Sequence, residues 1–328
     1  MKKEFFDFDS AFKGKKIHTV IYQPEIALSG IKGLVQIIHG FAEHIERYDS
    51  FMKLLAENGY IVFGDDHLGH GLTAKKNNMA LTDVGSYDAF DYMLKDEWQL
   101  NQLMRQRFAH QKLISPSDEN QRSNPSLPCY ILGHSMGSLM LRALLIQYPN
   151  ICDRAIIMGT GDNKPALLSV FKLILNINKL FHKGDHISKF INTLGIDNNN
   201  SKFKAENSPS AWLSANSDNV KTYTKDSLSG HPGSLHTFYF LCLLMIFIRK
   251  KENLAKMNKD MPILMLSGQE DAFGDFGKGP KIVHDLFKEA GMKDVKLITY
   301  PNMRHEILNE KDNQIVVHDI LDFIANSN

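Results

Sequence analysis

The 328-residue sequence predicts an α/β protein with a doubly wound, mostly parallel sheet and a helical lid inserted into it. Three observations support this fold class. Short, nearly continuous apolar runs alternate with segments of helical periodicity, which is typical of parallel strands covered by helices on both faces. The alternation stops after Met158 and resumes near Pro262. Residues 159–234 show only helical or irregular patterns, so we expect an insertion over the carboxyl edge of the strands, where open α/β sheets bind ligands.

The individual elements follow from these patterns. The predicted strands are rich in Val, Ile, Leu or Met and cover residues 33–39, 60–64, 129–132, 155–158, 262–267 and 295–300. The predicted helices repeat apolar residues every three or four positions and cover residues 47–58, 87–108, 137–147, 280–290 and 312–325. Gly59 and Gly291 follow two of these helices, as left-handed caps do. The polar stretch 115–128 predicts a loop.

The same boundaries divide the chain into three parts. Residues 1–158 form the first part of the core, residues 159–234 the lid, and residues 235–328 the second part of the core. The segment 165–182 predicts an amphipathic lid helix whose wet side is marked by Lys172, Asn176 and Lys179. The apolar run 237–248 has 12 residues, whereas a membrane span needs about 20, so it predicts a buried helix.

Composition excludes some classes of function. With 38 basic and 37 acidic residues the net charge is +1, which does not favour a nucleic-acid partner bound through bulk charge. Cys129, Cys152 and Cys242 each lie in an apolar run, which predicts buried, reduced thiols. The charged N-terminus lacks the apolar stretch of a signal peptide. The sequence therefore predicts a cytoplasmic globular protein and leaves its oligomeric state open.

The chemistry is indicated by Gly133-His134-Ser135-Met136-Gly137, which lies between a predicted strand and a predicted helix. This is the G-x-S-x-G pattern in the context where it forms a tight turn that exposes a nucleophilic serine. The Met136 N–H would lie at the helix N-terminus, where partial positive charge stabilises an oxyanion. The alternative is a glycine-flanked helix start with a chance serine.

A serine hydroxyl needs a base and an acid that orients the base, and on this fold they follow the serine in the order acid, histidine. His305 follows the last predicted strand and is the candidate base. Asp271 follows the preceding strand and is the favoured acid. Glu270 and Asp275 are weaker neighbours, and Asp162, after an earlier strand, remains an alternative.

The loop after the first predicted core strand provides the second half of an oxyanion hole. It reads His39-Gly40-Phe41, and the backbone N–H of Phe41 is the candidate donor.

A metal centre is the competing interpretation of the polar residues at this edge. Asp65, Asp66, His67 and His70 could form a cluster, with His39 and His44 nearby. The spacing matches neither an H-E-x-x-H helix nor the HxHxDH order of dinuclear hydrolases. We therefore expect no metal and no other cofactor.

Together these motifs resemble a known family. The segment 39–44 with Arg47-Tyr48, the segment 66–71 and the turn 133–137 are similar to the monoacylglycerol lipase and lysophospholipase group of serine α/β-hydrolases, often labelled serine aminopeptidase-like. The resemblance covers most of the chain and is weakest across the insertion. It implies an α/β-hydrolase fold with Ser135 as nucleophile, Asp271 as acid, His305 as base, and Phe41 and Met136 as oxyanion donors.

The resulting expectation is a carboxylic ester hydrolase that acts through an acyl-enzyme on a single-chain ester, a monoacylglycerol or a lysophospholipid. Phe171 and Ile174 of the lid helix are candidate contacts for the acyl chain, although an apolar stripe of this kind is more often only the core of a lid. The lid could also touch a membrane surface while it takes up a lipid. The alternatives are a small-ester carboxylesterase, an aminopeptidase with the same triad, or a binding protein on a hydrolase fold.

Overall fold

A computed structural model describes residues 1–27, 30–109 and 127–326, and most of the predicted loop 115–128 lies outside these ranges. The described chain contains one eight-stranded sheet in the order β1-β2-β4-β3-β5-β6-β7-β8. Its strands are β1 (Lys2–Asp9), β2 (Lys16–Gln23), β3 (Gly33–Ile38), β4 (Tyr60–Asp66), β5 (Cys129–His134), β6 (Arg154–Met158), β7 (Ile263–Gly268) and β8 (Val295–Tyr300). Strands β3 to β8 pair in parallel, whereas β1 and β2 join antiparallel to the edge at β4. The predicted fold class is confirmed.

Helices cover both faces of this sheet, as the alternation predicted. They are α1 (Asp49–Glu57), α2 (Gly71–Lys76), α3 (Ala89–Ala109), α4 (Met136–Gln147), α5 (Pro165–Phe181), α6 (Lys189–Gly195), α7 (Ser217–Lys225), α8 (Leu235–Phe247), α9 (Lys251–Leu254), α10 (Lys278–Glu289) and α11 (Gln314–Ala325). Residues of α3, α4, α8 and α10 belong to the core on one face, and residues of α1 and α11 to the core on the other. Gly59 and Gly291 have φ angles of 94° and 88°, as left-handed caps require.

The two N-terminal strands, β1 and β2, are not among the predicted strands, which rested on continuous apolar runs. Strand β1 lies at the sheet edge and reads KKEFFDFD, with charged residues throughout. Edge strands carry such charges because they discourage pairing with another chain. The signal that finds buried parallel strands is therefore absent from β1.

Residues 159–234 hold helices α5, α6 and α7 and short 3-10 turns but no strand. Helices α5, α6 and α8 share a small apolar core, and residues 203–223 form a second one. Asn176 and Lys179 of the predicted wet side of α5 are exposed, but the exposed surface of this helix is larger than predicted, because only Leu168 and Leu175 are buried. Its solvent-exposed residues include the apolar Leu167, Val170, Leu173, Ile177, Leu180 and Phe181.

The sequence also predicted that the cysteines are buried and reduced and that no segment is long enough to span a membrane. Cys129, Cys152 and Cys242 are free and buried. Within the described ranges, no helix combines the length and hydropathy that crossing a bilayer requires.

Candidate active site

Ser135 lies at the turn between β5 and α4 and has an unusual backbone conformation, with φ 54° and ψ −118°. A non-glycine residue at positive φ is strained and persists only where its surroundings enforce it. A Cβ on Gly137 would lie 2.1 Å from the Ile38 carbonyl oxygen, and one on Gly133 would lie 2.3 Å from the Gly137 oxygen. The Ser135 N–H donates to the Met158 carbonyl at 3.0 Å. Both glycines are therefore required for the turn that presents the serine.

His305 follows β8 and is hydrogen-bonded to Asp271, which follows β7. The Nδ1 of His305 lies 3.0 Å from each carboxylate oxygen of Asp271, and a carboxylate is an acceptor, so Nδ1 carries the proton. Both side chains are buried. The Nε2 of His305 has no hydrogen-bond partner and is therefore free to accept a proton, although it does not bond Ser135 in this conformation.

The other carboxylates considered as the acid have different partners. Asp162 forms an ion pair with Arg249. Glu270 lies 3.7 Å from the Nε of Arg304, and Asp275 lies 3.5 Å from Lys278. Of the four candidates, the structure brings Asp271 alone to His305.

Aromatic rings shelter the His305 imidazole from water. The ring of Trp212 lies 4.8 Å from it, and the ring of Phe273 lies 5.4 Å away, edge to face. The Phe273 N–H also donates to Asp271 at 2.9 Å. Excluding water strengthens the His305–Asp271 interaction because the local dielectric falls. Trp212 could not be predicted from a local motif, since it lies in the insertion, 93 residues before His305.

The residues that carry the predicted oxyanion donors lie close to Ser135. Met136 begins the 12-residue helix α4, whose first N–H groups have no partner within the helix. A Cβ on Gly40 would lie 3.0 Å from the Ser135 Cβ, so the loop that carries Phe41 abuts the serine. Phe41, Ser135 and Met136 all line one cavity.

One buried carboxylate, Glu43, connects the oxyanion loop to the serine turn. Its Oε1 accepts hydrogen bonds from the Gly40 N–H at 2.6 Å, the Tyr48 hydroxyl at 2.9 Å and the His134 ring at 3.2 Å. Burial alone would raise the pKa of Glu43, but the His134 hydrogen bond and the Arg47 charge hold it well below its usual range. Burial alone would lower the pKa of His134, but its hydrogen bond to Glu43 and the charge of Glu43 raise this pKa above its usual value.

The same network reaches the loop that carries the histidine. The Nε2 of His134 donates to the His305 carbonyl at 3.2 Å. Arg47 donates to Glu43 at 2.8 Å and to both oxygens of Glu306 at 2.6 and 2.7 Å. Glu43 and Arg47 stood in the motifs of the sequence analysis without a role. The sequence signal that could have identified this pair is two opposite charges, four residues apart, in a loop at the buried edge of the sheet.

The cavity above Ser135 has a volume of about 590 Å³ and is mostly apolar. Phe171 and Ile174, the lid residues singled out from the sequence, both line it. The other apolar side chains of its wall come mainly from α4, α5 and α8: Leu139, Leu167, Leu168, Val170, Phe238, Leu241, Cys242 and Met245. Such a volume is in the range of small-molecule sites.

The residues weighed as metal ligands have different hydrogen-bond partners in the structure. Asp66 accepts hydrogen bonds from the backbone N–H groups of Ile45 and Leu72 at 2.9 and 2.6 Å. Asp65 and His67 instead meet Glu97 of α3, which the sequence analysis did not consider, and their possible ligand atoms lie within 4.8 Å of one another.

A strained serine at a strand-to-helix turn and a buried histidine–carboxylate pair on this sheet define the class of serine α/β-hydrolases. The family model described as serine aminopeptidase, S33, matches residues 29–312. The chain belongs to this family and is a serine hydrolase, as the resemblance of its motifs predicted.

Named relatives agree with this assignment. A monoacylglycerol lipase from Mycolicibacterium smegmatis is 24% identical over 299 residues, which cover 90% of this chain and 88% of that protein. The monoglyceride lipase of Homo sapiens is 25% identical over 280 residues, covering 85% and 77%. The solved structure of a carboxyl esterase from Bacillus coagulans matches with a TM-score of 0.86 at 26% identity, covering 99% of this chain and 98% of that one.

Proposed function

We propose that the chain hydrolyses single-chain acyl esters, monoacylglycerols or lysophospholipids, through an acyl-enzyme on Ser135. The observation that carries this proposal is the apolar cavity that opens onto Ser135 and holds Phe171 and Ile174 in its wall. An apolar wall contributes about 0.8 kcal/mol for each methylene that it buries, which favours an alkyl chain over a short acid. The named lipase relatives are consistent with it.

The geometry supports one sequence of steps. His305 Nε2 accepts the proton of the Ser135 hydroxyl as Oγ attacks the ester carbonyl, and Asp271 stabilises the imidazolium that forms. The N–H groups of Phe41 and Met136 donate to the oxyanion. His305 then returns the proton to the leaving alcohol, and water, activated by the same ring, releases the fatty acid and regenerates Ser135. This chemistry requires no cofactor.

An aminopeptidase is less well supported than an ester hydrolase. A substrate ammonium group would need an unpaired carboxylate in the cavity. Among the described cavity residues the carboxylates are Asp162, which is paired with Arg249, and Asp275, which lies near Lys278 with 64% of its side chain exposed.

We also propose that residues 159–234 act as a lid with two parts. The segment 211–216 is bonded to the histidine loop, since Arg304 donates to the Ala211 carbonyl at 2.7 Å and the Glu306 N–H donates to the Leu213 carbonyl at 2.7 Å. Helices α5 and α6 have no such bonds in the described structure and contribute, with α4 and α8, to the apolar cavity wall.

The free, buried cysteines support a reducing compartment such as the cytoplasm.

The exposed apolar side chains of α5 and α6 form a surface suited to a lipid bilayer. Leu180 and Phe181 are 78% and 77% exposed, and Phe190 is 60% exposed. Residues 163–196 contain five lysines against one aspartate, which favours an anionic surface. We propose that this surface, defined by Leu167, Leu173, Ile177, Leu180, Phe181 and Phe190, rests on a membrane that contains anionic lipid.

The choice of acid is testable with two matched substitutions. Asp271→Asn keeps the shape of the side chain but favours the wrong imidazole tautomer, so turnover of a soluble ester should fall on the order of 10⁴-fold, as in serine proteases. Asp162→Asn only weakens the ion pair with Arg249 and should keep turnover near that of the wild type. Both are measured on p-nitrophenyl butyrate, with folding checked by circular dichroism. An inactive Asp162→Asn beside an active Asp271→Asn would move the acid to the earlier strand.

The acyl-chain assignment is testable with esters of increasing length. For the wild type, kcat/KM should rise about fourfold per methylene until the cavity is filled. Phe171→Ser and Ile174→Ser should flatten this rise, because they place a hydroxyl in the wall. Asn176→Ser, on the same helix but outside both the cavity wall and the proposed membrane surface, is the control and should keep this rise. A wild-type optimum at acetate with a steady decline thereafter would support the small-ester carboxylesterase instead.

Membrane contact is testable by co-sedimentation with vesicles of phosphatidylcholine, alone or mixed with phosphatidylglycerol. The protein should partition more strongly onto the anionic vesicles. The double variant Leu180→Ser/Phe181→Ser should bind at least tenfold more weakly, since burying two such side chains contributes well over 1.4 kcal/mol. Ile315→Ser removes an exposed apolar side chain from α11, at 53% exposure, and should leave binding unchanged. Equal loss in both variants, or no binding by the wild type, would contradict the proposal.

A further inference from the structure

A second buried cluster of charged groups lies behind the oxyanion loop, and the proposed mechanism does not use it. His67 follows β4, and its Nδ1 lies 2.9 Å from Oε1 of Glu97 and 3.4 Å from Oδ2 of Asp65. The exposed fractions of Asp65, His67 and Glu97 are 1%, 2% and 1%. Burying two carboxyl groups costs free energy unless an opposite charge or a hydrogen bond compensates them, and His67 is the group that faces both.

The other edge of His67 holds the oxyanion loop. Its Nε2 lies 3.2 Å from the His39 carbonyl oxygen, and because a carbonyl only accepts, Nε2 carries a proton. The backbone N–H of His67 donates to Nε2 of His39 at 3.1 Å, and Nδ1 of His39 donates to the Gly40 carbonyl at 2.8 Å. The two rings stack with their centroids 3.7 Å apart and 17° between their planes. His67 therefore fixes residues 39 and 40, which directly precede Phe41.

The hydrogen bonds of His67 determine its charge. Both ring nitrogens donate, Nε2 to the His39 carbonyl and Nδ1 to Glu97, so the ring is a cation. Burial alone would lower the pKa of His67, but Asp65 and Glu97 raise it well above its usual value. Burial, and then the charge of Asp65, raise the pKa of Glu97 to about 8.

Three other titratable groups, His39, His70 and Asp96, lie around the cluster. His39 and His70 are buried, and burial together with the charge of His67 lowers the pKa of each, that of His70 to about 4. Asp96 precedes Glu97 on α3, and burial raises its pKa to about 7. Asp96 accepts hydrogen bonds from the Ser10 hydroxyl and the Ala11 N–H, both at 2.6 Å, and so is tied to the N-terminal segment.

We propose that His67, clamped between Asp65 and Glu97, is a positioning residue that sets the Phe41 N–H in the oxyanion hole. This inference rests on the proposed function, because it takes the Phe41 N–H as a donor to the transition state. Its consequence is specific: disturbing the cluster should weaken binding of the oxyanion and leave binding of the ground-state ester unchanged.

The first test is the pH dependence of kcat for Glu97→Gln. When Glu97 ionises, the cluster gains a second negative charge behind the loop that must stabilise an oxyanion, so wild-type kcat should decline above about pH 8. Glutamine keeps the shape and can still accept from Nδ1 of His67, but it cannot ionise. It loses the hydrogen bond from Gln36 Nε2 to Oε2 of Glu97, while Gln36 keeps its bond to the Glu97 carbonyl at 3.1 Å. We expect Glu97→Gln to match the wild type at pH 7 and to lack the alkaline decline. Asp96→Asn, which removes the neighbouring carboxyl group, is the matched control and should retain the decline.

The second test separates positioning from mere packing. His67→Leu removes the donor to the His39 carbonyl and should lower kcat about 100-fold with an unchanged KM. The amide of His67→Gln can still donate to that carbonyl and should restore most of the loss. Affinity for an alkyl boronic acid, which forms a tetrahedral adduct with the serine, should fall in parallel with kcat. If His67→Leu does not fold, the pH profile of Glu97→Gln still tests whether the charge of the cluster changes kcat.

Three results would overturn the inference. They are an alkaline decline that persists in Glu97→Gln, a His67→Leu variant with wild-type kcat, and activity that a chelator removes and zinc restores, which would make the cluster a metal site. Labelling of wild-type Ser135 by a fluorophosphonate is measured first. Its absence would refute the proposed function, whereas labelled Ser135 together with any of the three results refutes only the role of His67.

Discussion

The buried carboxylate of Glu43 is the constraint on which the geometry of the site depends. It accepts hydrogen bonds from Gly40 and His134, and it shares Arg47 with Glu306. Three loops that follow three different strands are thereby held against one another. Leaving one buried partner unsatisfied costs several kcal/mol, so the loops cannot easily move apart. The same arrangement keeps the histidine loop next to the serine turn without a direct bond between the two side chains.

The insertion is bonded to this rigid frame through its second half, from Glu206 to Gly230. Glu310 accepts from the N–H groups of Ala215 and Asn216 at 2.9 and 3.1 Å, next to the bonds that Arg304 makes to the same segment. This part of the insertion also supplies Trp212, which covers the His305 ring. Helices α5 and α6 instead pack through a small apolar core with α8. If the insertion is the lid that we propose, the part that covers the histidine and the part that lines the apolar cavity are separate segments of it.

The sequence was informative wherever a local pattern has one physical explanation. Buried parallel strands need continuous apolar runs, and all six such strands were found within a few residues of their observed ends. The serine turn needs glycines at 133 and 137, and the histidine must follow the last strand. Contacts between distant segments left no such pattern. Trp212, the pairing of Arg47 with Glu306, and the meeting of Glu97 with Asp65 each depend on tertiary structure, and the charged edge strand β1 lacks the expected apolar signal.

The central claim is that Ser135 is the nucleophile, and covalent labelling tests it most directly. A fluorophosphonate probe should modify the folded protein once, and mass spectrometry of the digest should locate the adduct on Ser135. Ser135→Ala should remain folded, take up no probe and lose ester hydrolysis on the order of 10⁶-fold in kcat, the scale seen when a serine protease loses its nucleophile. An adduct on another residue, or substantial hydrolysis by folded Ser135→Ala, would contradict the account.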